Sequence, residues 1–353
     1  MSAAPQTPLV TVVIPARNEG EAIQGALANV AAQTYPLDCV EVVVVDGDSQ
    51  DQTAAFAQTG LDAAPFRRTA VVHNPTASTP SNLNAGLEWA AGEILVRVDS
   101  RSMIPPDYIE TLVAVLADPA IAVAGGSQVA VSRSTSMKDR AIARALNNRV
   151  AMGGSSYRRD GAPSGPVDTV YLGVFRTRDL RAVGGWSEDF PTNQDFELNR
   201  RMSERGHVWF EAGLPVDYFG REHFRELWAQ YHRFGRWKVR YWQRTQDKPQ
   251  PRQTALVVAP LAAGLVMCAL GLARPRTVLP IVTGVVPGLL TMDAMGGKRE
   301  GGGVRTRLTA GYVNAIVGAG WWSGVARQLI ESTTDESPNP LRTGLNDMEA
   351  VEQ

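Results

Sequence analysis

The strongest constraint on the fold lies in two apolar runs near the start of the chain. Residues 10–14 read Val-Thr-Val-Val-Ile and residues 40–45 read Val-Glu-Val-Val-Val-Val, so β-branched side chains follow one another with little alternation. Such runs are typical of strands buried on both faces, as in the parallel sheets of α/β proteins. Between them, in residues 19–33, apolar residues recur at helical spacing. The pattern therefore predicts a strand, a helix and a second strand in one parallel unit.

This alternation of strand and helix continues beyond the first unit. Further strands are predicted at 69–72, 94–98 and 170–175, further helices at 51–59, 80–91 and 195–205, and a helix, strand and helix within 104–142. Alternating elements of this kind predict an α/β fold with a mainly parallel sheet and helices on both faces. Residues 152–167 are rich in Gly, Ser, Pro and Arg, and an irregular segment of that length is typical of a functional loop.

Three aspartates lie where predicted strands end: Asp46 and Asp48 follow one strand, and Asp99 closes another. Ligands of parallel sheets bind beyond the carboxyl ends of the strands. These carboxylates are therefore candidates for contacts to a base and ribose, or to a hard cation such as Mg²⁺ or Mn²⁺; ordinary polar turns are the structural alternative. Residues 15–19 read Pro-Ala-Arg-Asn-Glu, so the glycine fingerprint of a dinucleotide site is missing and an NAD-dependent dehydrogenase is disfavoured.

Several short motifs, taken in order, resemble family 2 glycosyltransferases with the GT-A fold, and in particular bacterial exopolysaccharide transferases of the succinoglycan-biosynthesis type. The motifs are Val-Ile-Pro-Ala-Arg-Asn-Glu at 13–19, Val-Val-Asp-Gly-Asp-Ser at 44–49, Asn-Ala-Gly at 84–86, Arg-Val-Asp at 97–99, Asp-Thr-Val-Tyr-Leu-Gly at 168–173, Gly-Gly-Trp at 184–186, Asn-Gln-Asp-Phe-Glu-Leu-Asn at 193–199 and Phe-Gly-Arg-Trp at 234–237. Each motif is weak alone, and their order makes the resemblance specific. It covers about residues 9–245 and continues into the apolar C-terminal region.

The resemblance implies a role for each matching residue. Asp195, which its local sequence alone would place as a helix cap, would be the catalytic base, and Asp99 would position a divalent cation on the donor diphosphate. The implied donor-binding residues are Pro15, Arg17, Glu19, Asp46, Asp48, Asn84, Asp99 and Arg101. The implied residues of the acceptor or diphosphate side are Asp168, Gly185, Trp186, Arg236 and Trp237.

The sequence departs from the family pattern in two places. The second metal-side position, usually Asp, is Arg101, which cannot bind a cation and is always charged. The metal is then held by Asp99 and the diphosphate alone, or Arg101 replaces part of its charge. In addition, Gln230 lies too far from Arg236 and Trp237 to form the QxxRW element of processive synthases, which disfavours a polymerising enzyme.

The C-terminal region predicts a membrane attachment. Residues 254–273 and 277–295 are apolar runs of about the length that crosses a bilayer, and 308–326 is a weaker third candidate. Residues 219–252 interleave Arg and Lys with aromatic residues, which is typical of an amphipathic helix at an anionic membrane surface. The basic residues that flank the first two runs predict a hairpin with both ends in the cytoplasm.

The predicted organisation is a GT-A catalytic domain at 1–218, a basic interfacial segment at 219–252, a membrane region at 253–330 and a polar tail at 331–353. The first eight residues lack the features of a signal peptide. The two cysteines are far apart and indicate neither a disulfide nor a metal site. A net charge of −1 argues against nucleic-acid binding. We therefore expect a plasma-membrane protein with a cytoplasmic catalytic domain.

The predicted function is inverting transfer of a sugar from a nucleotide-diphosphate donor to a membrane-associated acceptor, such as a polyprenyl-diphosphate-linked glycan, in cell-envelope or exopolysaccharide synthesis. One alternative is a polyprenyl-phosphate sugar transferase, in which loss of Asp195 would matter less because a phosphate oxygen needs little deprotonation. A second alternative, motivated by Arg101, is a catalytically silent membrane subunit that binds the nucleotide sugar without turnover.

Overall fold

The computed structural model describes residues 7–148, 162–249, 254 and 303–334. The chain divides into two compact units. The first comprises Met1–Val129 and Ser156–Tyr218, and the second comprises Ala130–Ser155 and Phe219–Gln353. The predicted features that lie wholly or largely outside the described residues are the apolar runs 254–273 and 277–295, the loop 152–167 and the tail 331–353.

The first unit begins with the parallel strand–helix repeat that the sequence predicts. Its elements are β1 (Val10–Ala16), α1 (Ala22–Ala31), β2 (Val40–Asp46), α2 (Thr53–Asp62), β3 (Arg68–His73), α3 (Thr79–Trp89) and β4 (Ile94–Arg97). Strand β1 pairs in parallel with β2 and β4, and β2 pairs in parallel with β3. Every residue of β2 is buried, which confirms that its run of valines belongs to a central strand.

The rest of the sheet is antiparallel. The remaining elements are β5 (Ser102–Met103), α4 (Tyr108–Val115), β6 (Ile121–Val131), α5 (Met137–Leu146), β7 (Gly165–Pro166), β8 (Tyr171–Arg176), α6 (Thr177–Ala182), α7 (Gln194–Met202) and β9 (His207–Phe219). Strand β8 pairs antiparallel with β4 and β6, and the strand order is β3-β2-β1-β4-β8-β6-β9-β5 with β7 on β9. The sequence gives little sign of β9, because Gly213 and Pro215 interrupt it and part of it is exposed.

Alternate residues of the central strands enter two different apolar clusters, because neighbouring side chains on a strand point to opposite faces. Val42 and Val44 belong to one cluster, and Val43 and Val45 belong to the other. Buried residues of α1, α2 and α4 complete the first cluster, and those of α3, α6 and α7 complete the second. The sheet is thus covered on both faces.

The described part of the second unit is helical. It contains α5, α8 (Phe224–Thr245) and a further helix, α9 (Val304–Thr334). Helices α8 and α9 approach closely through glycine: a β-carbon at Gly235 would lie 2.0 Å from the carbonyl oxygen of Trp321. Arg236 forms an ion pair with Glu331 at 2.7 Å across the same contact. The third apolar candidate, 308–326, lies within α9, and none of the helices in the described residues has the length and apolarity needed to cross a membrane.

Close packing of α3 on β1 gives the first prediction. A β-carbon at Gly86 would lie 2.2 Å from Cγ1 of Val13, so Gly86→Ala pushes the helix from the sheet and should cost about 1–3 kcal/mol of unfolding free energy. Gly25 of α1 has no atom within 4 Å of the corresponding position, and Gly25→Ala should be neutral or stabilising by up to about 1 kcal/mol. Urea unfolding of both variants is the measurement, and equal stabilities would contradict the packing.

Candidate active site

The loop after β2 forms one side of the candidate site. Asp46 ends the strand with its side chain only 8% exposed, and the hydroxyl of Ser49 donates a hydrogen bond to its Oδ1. Asp48 adopts a left-handed conformation with φ of +58°, which turns the chain sharply. A β-carbon at Gly47 would lie 2.5 Å from Nδ2 of Asn82, so this loop packs directly on α3. The carboxylate of Asp46 is consequently fixed at the carboxyl edge of the parallel strands.

The loop after β1 is hydrogen-bonded to the loop after β2. The backbone N–H of Asn18 donates to Oγ of Ser49 at 2.9 Å. The backbone N–H groups of Glu19 and Gly20 both donate to Oγ1 of Thr53, each at 2.9 Å. These bonds join the predicted donor-binding residues of the two loops into one structure.

Arg17 and Pro15 belong to the same edge. Pro15 lies opposite Val45 in the pairing of β1 with β2. The Nε atom of Arg17 is buried and has no hydrogen-bond partner among the described residues. A buried guanidinium nitrogen without a partner is costly, and an oxygen atom of a bound ligand would satisfy it.

Arg97, the last residue of β4, joins two carboxylates into a charged cluster. Its side chain is 6% exposed. Its Nε donates to Oδ1 of Asp99 at 2.8 Å and its Nη2 to Oδ2 of Asp99 at 3.2 Å, while Nη1 donates to Oδ1 of Asp195. Arg97 was not among the predicted site residues. The available signal was an arginine inside a strand that is otherwise apolar, because a charge buried there needs partners.

Asp195 is the second residue of α7, and the preceding turn is strained. Asn193 adopts a left-handed conformation with φ of +67° and its side chain does not cap the helix. The side-chain nitrogen of Asn193 is buried without a partner in the described part of the chain. Strained backbone of this kind clusters at functional sites. The turn directs Asp195 to Arg97, although 98 residues separate them in sequence.

The surroundings of Asp195 raise the pKa of its carboxyl above the ordinary value. Burial is the largest cause, the charge of Asp99 acts in the same direction, and the charge and hydrogen bond of Arg97 act against both. The pKa of Arg97 is raised by the two carboxylates despite its burial, so the guanidinium stays charged. Burial, followed by the charge of Asp99, also raises the pKa of the Tyr171 hydroxyl. The cluster therefore pairs a carboxyl group of raised pKa with a guanidinium that stays charged.

The donor set around Asp99 fits a divalent cation only in part. Asp99 offers hard carboxylate oxygens, but both are engaged by Arg97. Arg101, at the second metal-side position, pairs instead with Glu19 at 3.0 Å. Within the described residues there is no group of three or more His, Cys, Asp or Glu that could hold a metal ion. A cation therefore fits here if a bound diphosphate brings most of its oxygen ligands.

Asn84 and Trp186 are held together by hydrogen bonds. Nδ2 of Asn84 donates to the carbonyl oxygen of Trp186 at 2.8 Å, and the backbone N–H of Trp186 donates to Oδ1 of Asn84 at 2.9 Å. Gly185 precedes the tryptophan with φ of +68°. The indole of Trp186 is 1% exposed and packs edge-on against Phe175 with ring centroids 5.7 Å apart. These contacts fix Trp186 between Asn84 of α3 and Phe175 of β8.

The remaining predicted residues of the acceptor or diphosphate side belong to two different units of the chain. Asp168 is partly buried and lies just before β8. Arg236 and Trp237 belong to α8 of the second unit. There Arg236 pairs with Glu331, and the guanidinium of Arg240 lies 4.7 Å from the ring centroid of Trp237.

Comparisons with known proteins point to one family. Residues 11–183 match the model of the family described as Glycosyl transferase family 2. The chain is 30% identical over 263 residues to the succinoglycan biosynthesis protein ExoA of Rhizobium meliloti (strain 1021), which covers 72% of this chain and 77% of that protein. It is 24% identical over 230 residues to the dolichyl N-acetyl-alpha-D-glucosaminyl phosphate 3-beta-D-2,3-diacetamido-2,3-dideoxy-beta-D-glucuronosyltransferase of Methanococcus voltae, covering 63% of this chain and 70% of that protein.

Among solved structures, the fold is similar to that of the mannosyltransferase PcManGT from Pyrobaculum calidifontis, solved in complex with GDP-Man and Mn²⁺. The TM-score is 0.61 at 20% sequence identity, and the match covers 88% of this chain and 87% of that one. At this identity the likeness shows the fold, which is GT-A-like α/β.

The charged cluster gives the second prediction. Arg97→Met leaves the carboxylates of Asp99 and Asp195 without their shared cation, and because both are partly exposed we expect a loss of about 2 kcal/mol of unfolding free energy at pH 7. Adding Asp195→Asn removes one of the two like charges, so the double variant should be more stable than Arg97→Met alone. Urea unfolding of the single and double variants tests this, and additive losses would show that the cluster is not coupled.

Proposed function

Since this chain belongs to glycosyl transferase family 2, we propose that it transfers a sugar, with inversion, from a nucleoside-diphosphate donor to a lipid-linked acceptor. The observation that carries the proposal is the bridge of Arg97 between Asp99 and Asp195. In this proposal Asp99 lies at the diphosphate of the donor, and Asp195 accepts the proton of the acceptor hydroxyl. Because a single guanidinium holds both, the two substrates react at one place.

On the donor side, the loops after β1 and β2 bind the nucleotide. Asp46 accepts hydrogen bonds from the base or ribose, and Asp48 lies on the same turn. The partnerless Nε of Arg17 supports a contact to an oxygen of the donor, and Pro15 and Glu19 border the same space. Asn84 contributes by fixing the Trp186 loop.

In the reaction, Asp195 acts as general base. It takes the proton from an acceptor hydroxyl while that oxygen forms a bond to C1 of the sugar, and the bond from C1 to the diphosphate oxygen breaks with both electrons. The products are the new glycoside and the nucleoside diphosphate. A single displacement inverts the anomeric centre, and Arg97 keeps the base ionised before it accepts the proton.

A divalent cation, Mg²⁺ or Mn²⁺, would be held by Asp99 together with oxygens of the bound donor. When bound, it neutralises charge on the departing diphosphate. The Mn²⁺ in the structure of PcManGT supports a cation in proteins of this fold. Arg101 itself cannot bind a cation, so the second metal-side position offers no ligand.

The acceptor is proposed to be a lipid-linked glycan of cell-envelope or exopolysaccharide synthesis. The names of two relatives support this, one a succinoglycan biosynthesis protein and the other a transferase to a dolichyl-linked sugar phosphate. Asp168 and Gly185 are proposed for the acceptor side, and Arg236 and Trp237 stay predicted residues of the diphosphate side. A catalytic domain at 1–218 would then face the cytoplasm.

Attachment to the plasma membrane is proposed for the C-terminal region. Helix α8 contains both basic and aromatic residues, and Trp228 is 39% exposed on it. Such a helix suits the interfacial layer of an anionic bilayer, which supports the interfacial segment at 219–252. The apolar runs 254–273 and 277–295 are the proposed spans in the membrane region at 253–330, ahead of the polar tail at 331–353.

The role of Asp195 gives the third prediction. Asp195→Asn keeps the shape of the side chain but cannot accept the proton, so kcat should fall about 10²- to 10⁴-fold while donor affinity changes little. Asp107→Asn is the matched control, because Asp107 is exposed and its side chain makes no capping bond. Release of nucleoside diphosphate from labelled donors, with lipid extract as acceptor, is the measurement.

The outcomes separate the alternatives. A fall of less than about tenfold would favour a lipid phosphate as the acceptor, since that oxygen is already deprotonated. Donor binding without turnover across a broad acceptor panel would favour a silent subunit.

The pH dependence is the fourth prediction. Asp195 must be ionised to act, and burial raises its pKa above the ordinary value. Activity is therefore present above the raised pKa and lost as the pH falls through it, so the acid limb of kcat/KM should lie above about 3.9, the ordinary Asp value. Arg97 lowers the pKa, so Arg97→Met should move the limb to higher pH. A limb that moves to lower pH in this variant would contradict the assignment.

A further inference from the structure

We propose that Arg101 binds the diphosphate of the donor directly, with Glu19 as the residue that orients it, so that binding of the nucleotide does not depend on the divalent cation. The inference rests on the proposed function. It concerns the one position at which the donor site departs from the family pattern.

The contact between Arg101 and Glu19 uses one edge of the guanidinium. Nε of Arg101 donates to Oε1 and Oε2 of Glu19 at 3.2 and 3.0 Å. Within the described residues its two Nη atoms make no hydrogen bond or ion pair, and the side chain is 29% exposed. The other edge of the fork is thus open while the first is anchored.

Both ends of this contact are themselves fixed. The backbone N–H of Glu19 donates to Oγ1 of Thr53 at 2.9 Å. Arg101 lies within a tight turn that the backbone N–H of Ser102 closes onto the carbonyl oxygen of Asp99 at 2.9 Å. Arg101 therefore stands on the same turn as Asp99, beside the loop that carries Arg17.

The chemistry follows from the planar guanidinium. Its open edge offers two parallel N–H groups, which match two oxygens of a phosphate, and the charge does not depend on pH. A side chain anchored at Nε loses less conformational entropy on binding than a free one. The fixed charge of Arg101 supplies part of the neutralisation of the diphosphate that a second metal-binding carboxylate would otherwise provide through a cation. Within the described residues there is no group of three or more His, Cys, Asp or Glu side chains that could hold a metal ion without the diphosphate.

The alternative is that Arg101 only ties the two loops together. The two cases differ in nucleotide binding. If Arg101 binds the diphosphate, the protein binds a nucleoside diphosphate more tightly than the monophosphate, and loss of Arg101 removes that preference. If Arg101 only ties the loops together, its loss changes the affinity for both nucleotides equally or for neither.

The experiment is calorimetric titration of the full-length protein in detergent with UDP, UMP, GDP and GMP, in EDTA and again in Mn²⁺. The variants are Arg101→Gln, Arg101→Lys and Arg101→Asp. Arg178→Gln is the control, because the Arg178 side chain is 82% exposed. Thermal melting of each variant checks that it is folded.

In EDTA, the wild type and the control should prefer the diphosphate by about tenfold or more, and Arg101→Gln should lose most of that preference. Arg101→Lys keeps the positive charge but lacks the two parallel N–H groups of the guanidinium, so it should retain part of the preference for the diphosphate. This variant replaces Arg101→Gln in the test if Arg101→Gln fails to fold. Arg101→Asp restores a second carboxylate and should regain diphosphate binding only with Mn²⁺.

An unchanged preference in folded Arg101→Gln or Arg101→Lys would overturn the inference, as would a wild type that needs Mn²⁺ to bind diphosphate. A wild type that binds neither nucleotide under any condition would instead overturn the proposed function.

Discussion

The site depends on one buried cation. Arg97 ends a central strand with its guanidinium 6% exposed, and it is stable there only because Asp99 and Asp195 accept its hydrogen bonds. The same contact fixes α7 relative to the parallel sheet, since Asp195 belongs to the first turn of that helix. Removing the cation would leave two carboxylates in a partly desolvated pocket, and removing either carboxylate would leave the cation short of a partner. The same three side chains therefore hold α7 on the sheet and form the centre of the proposed reaction.

The parallel strands bring the loops that carry polar residues close to this cluster. Parallel strands end at one edge, so the loops after β1, β2 and β4 carry their polar residues to the same place. Hydrogen bonds from Asn18 and Glu19 to Ser49 and Thr53 tie the first two loops together. The pair of Arg101 with Glu19 ties the third loop to the first. Preorganisation of this kind lets a site stabilise charge without rearranging during the reaction.

The parallel half of the fold was predictable because buried strands leave a local signal, such as the valines of β2. The carboxylates at strand ends were predictable for the same reason. The pairing of Arg97 with Asp195 was not, because no local pattern links residues 98 positions apart. Strand β9 was missed because glycine and proline interrupt its pattern, and the burial of Trp186 depends on α3 and β8, which no motif reports.

The central claim is that Asp195 and the donor carboxylate act in a single displacement at one site. The most direct test is the anomeric configuration of the sugar that the wild type transfers from an isotopically labelled nucleotide sugar to lipid extract, read from the NMR coupling of its C1 proton. The account predicts the configuration opposite to that of the donor. Transfer with retained configuration would contradict it, because a single in-line displacement at C1 inverts the anomeric centre.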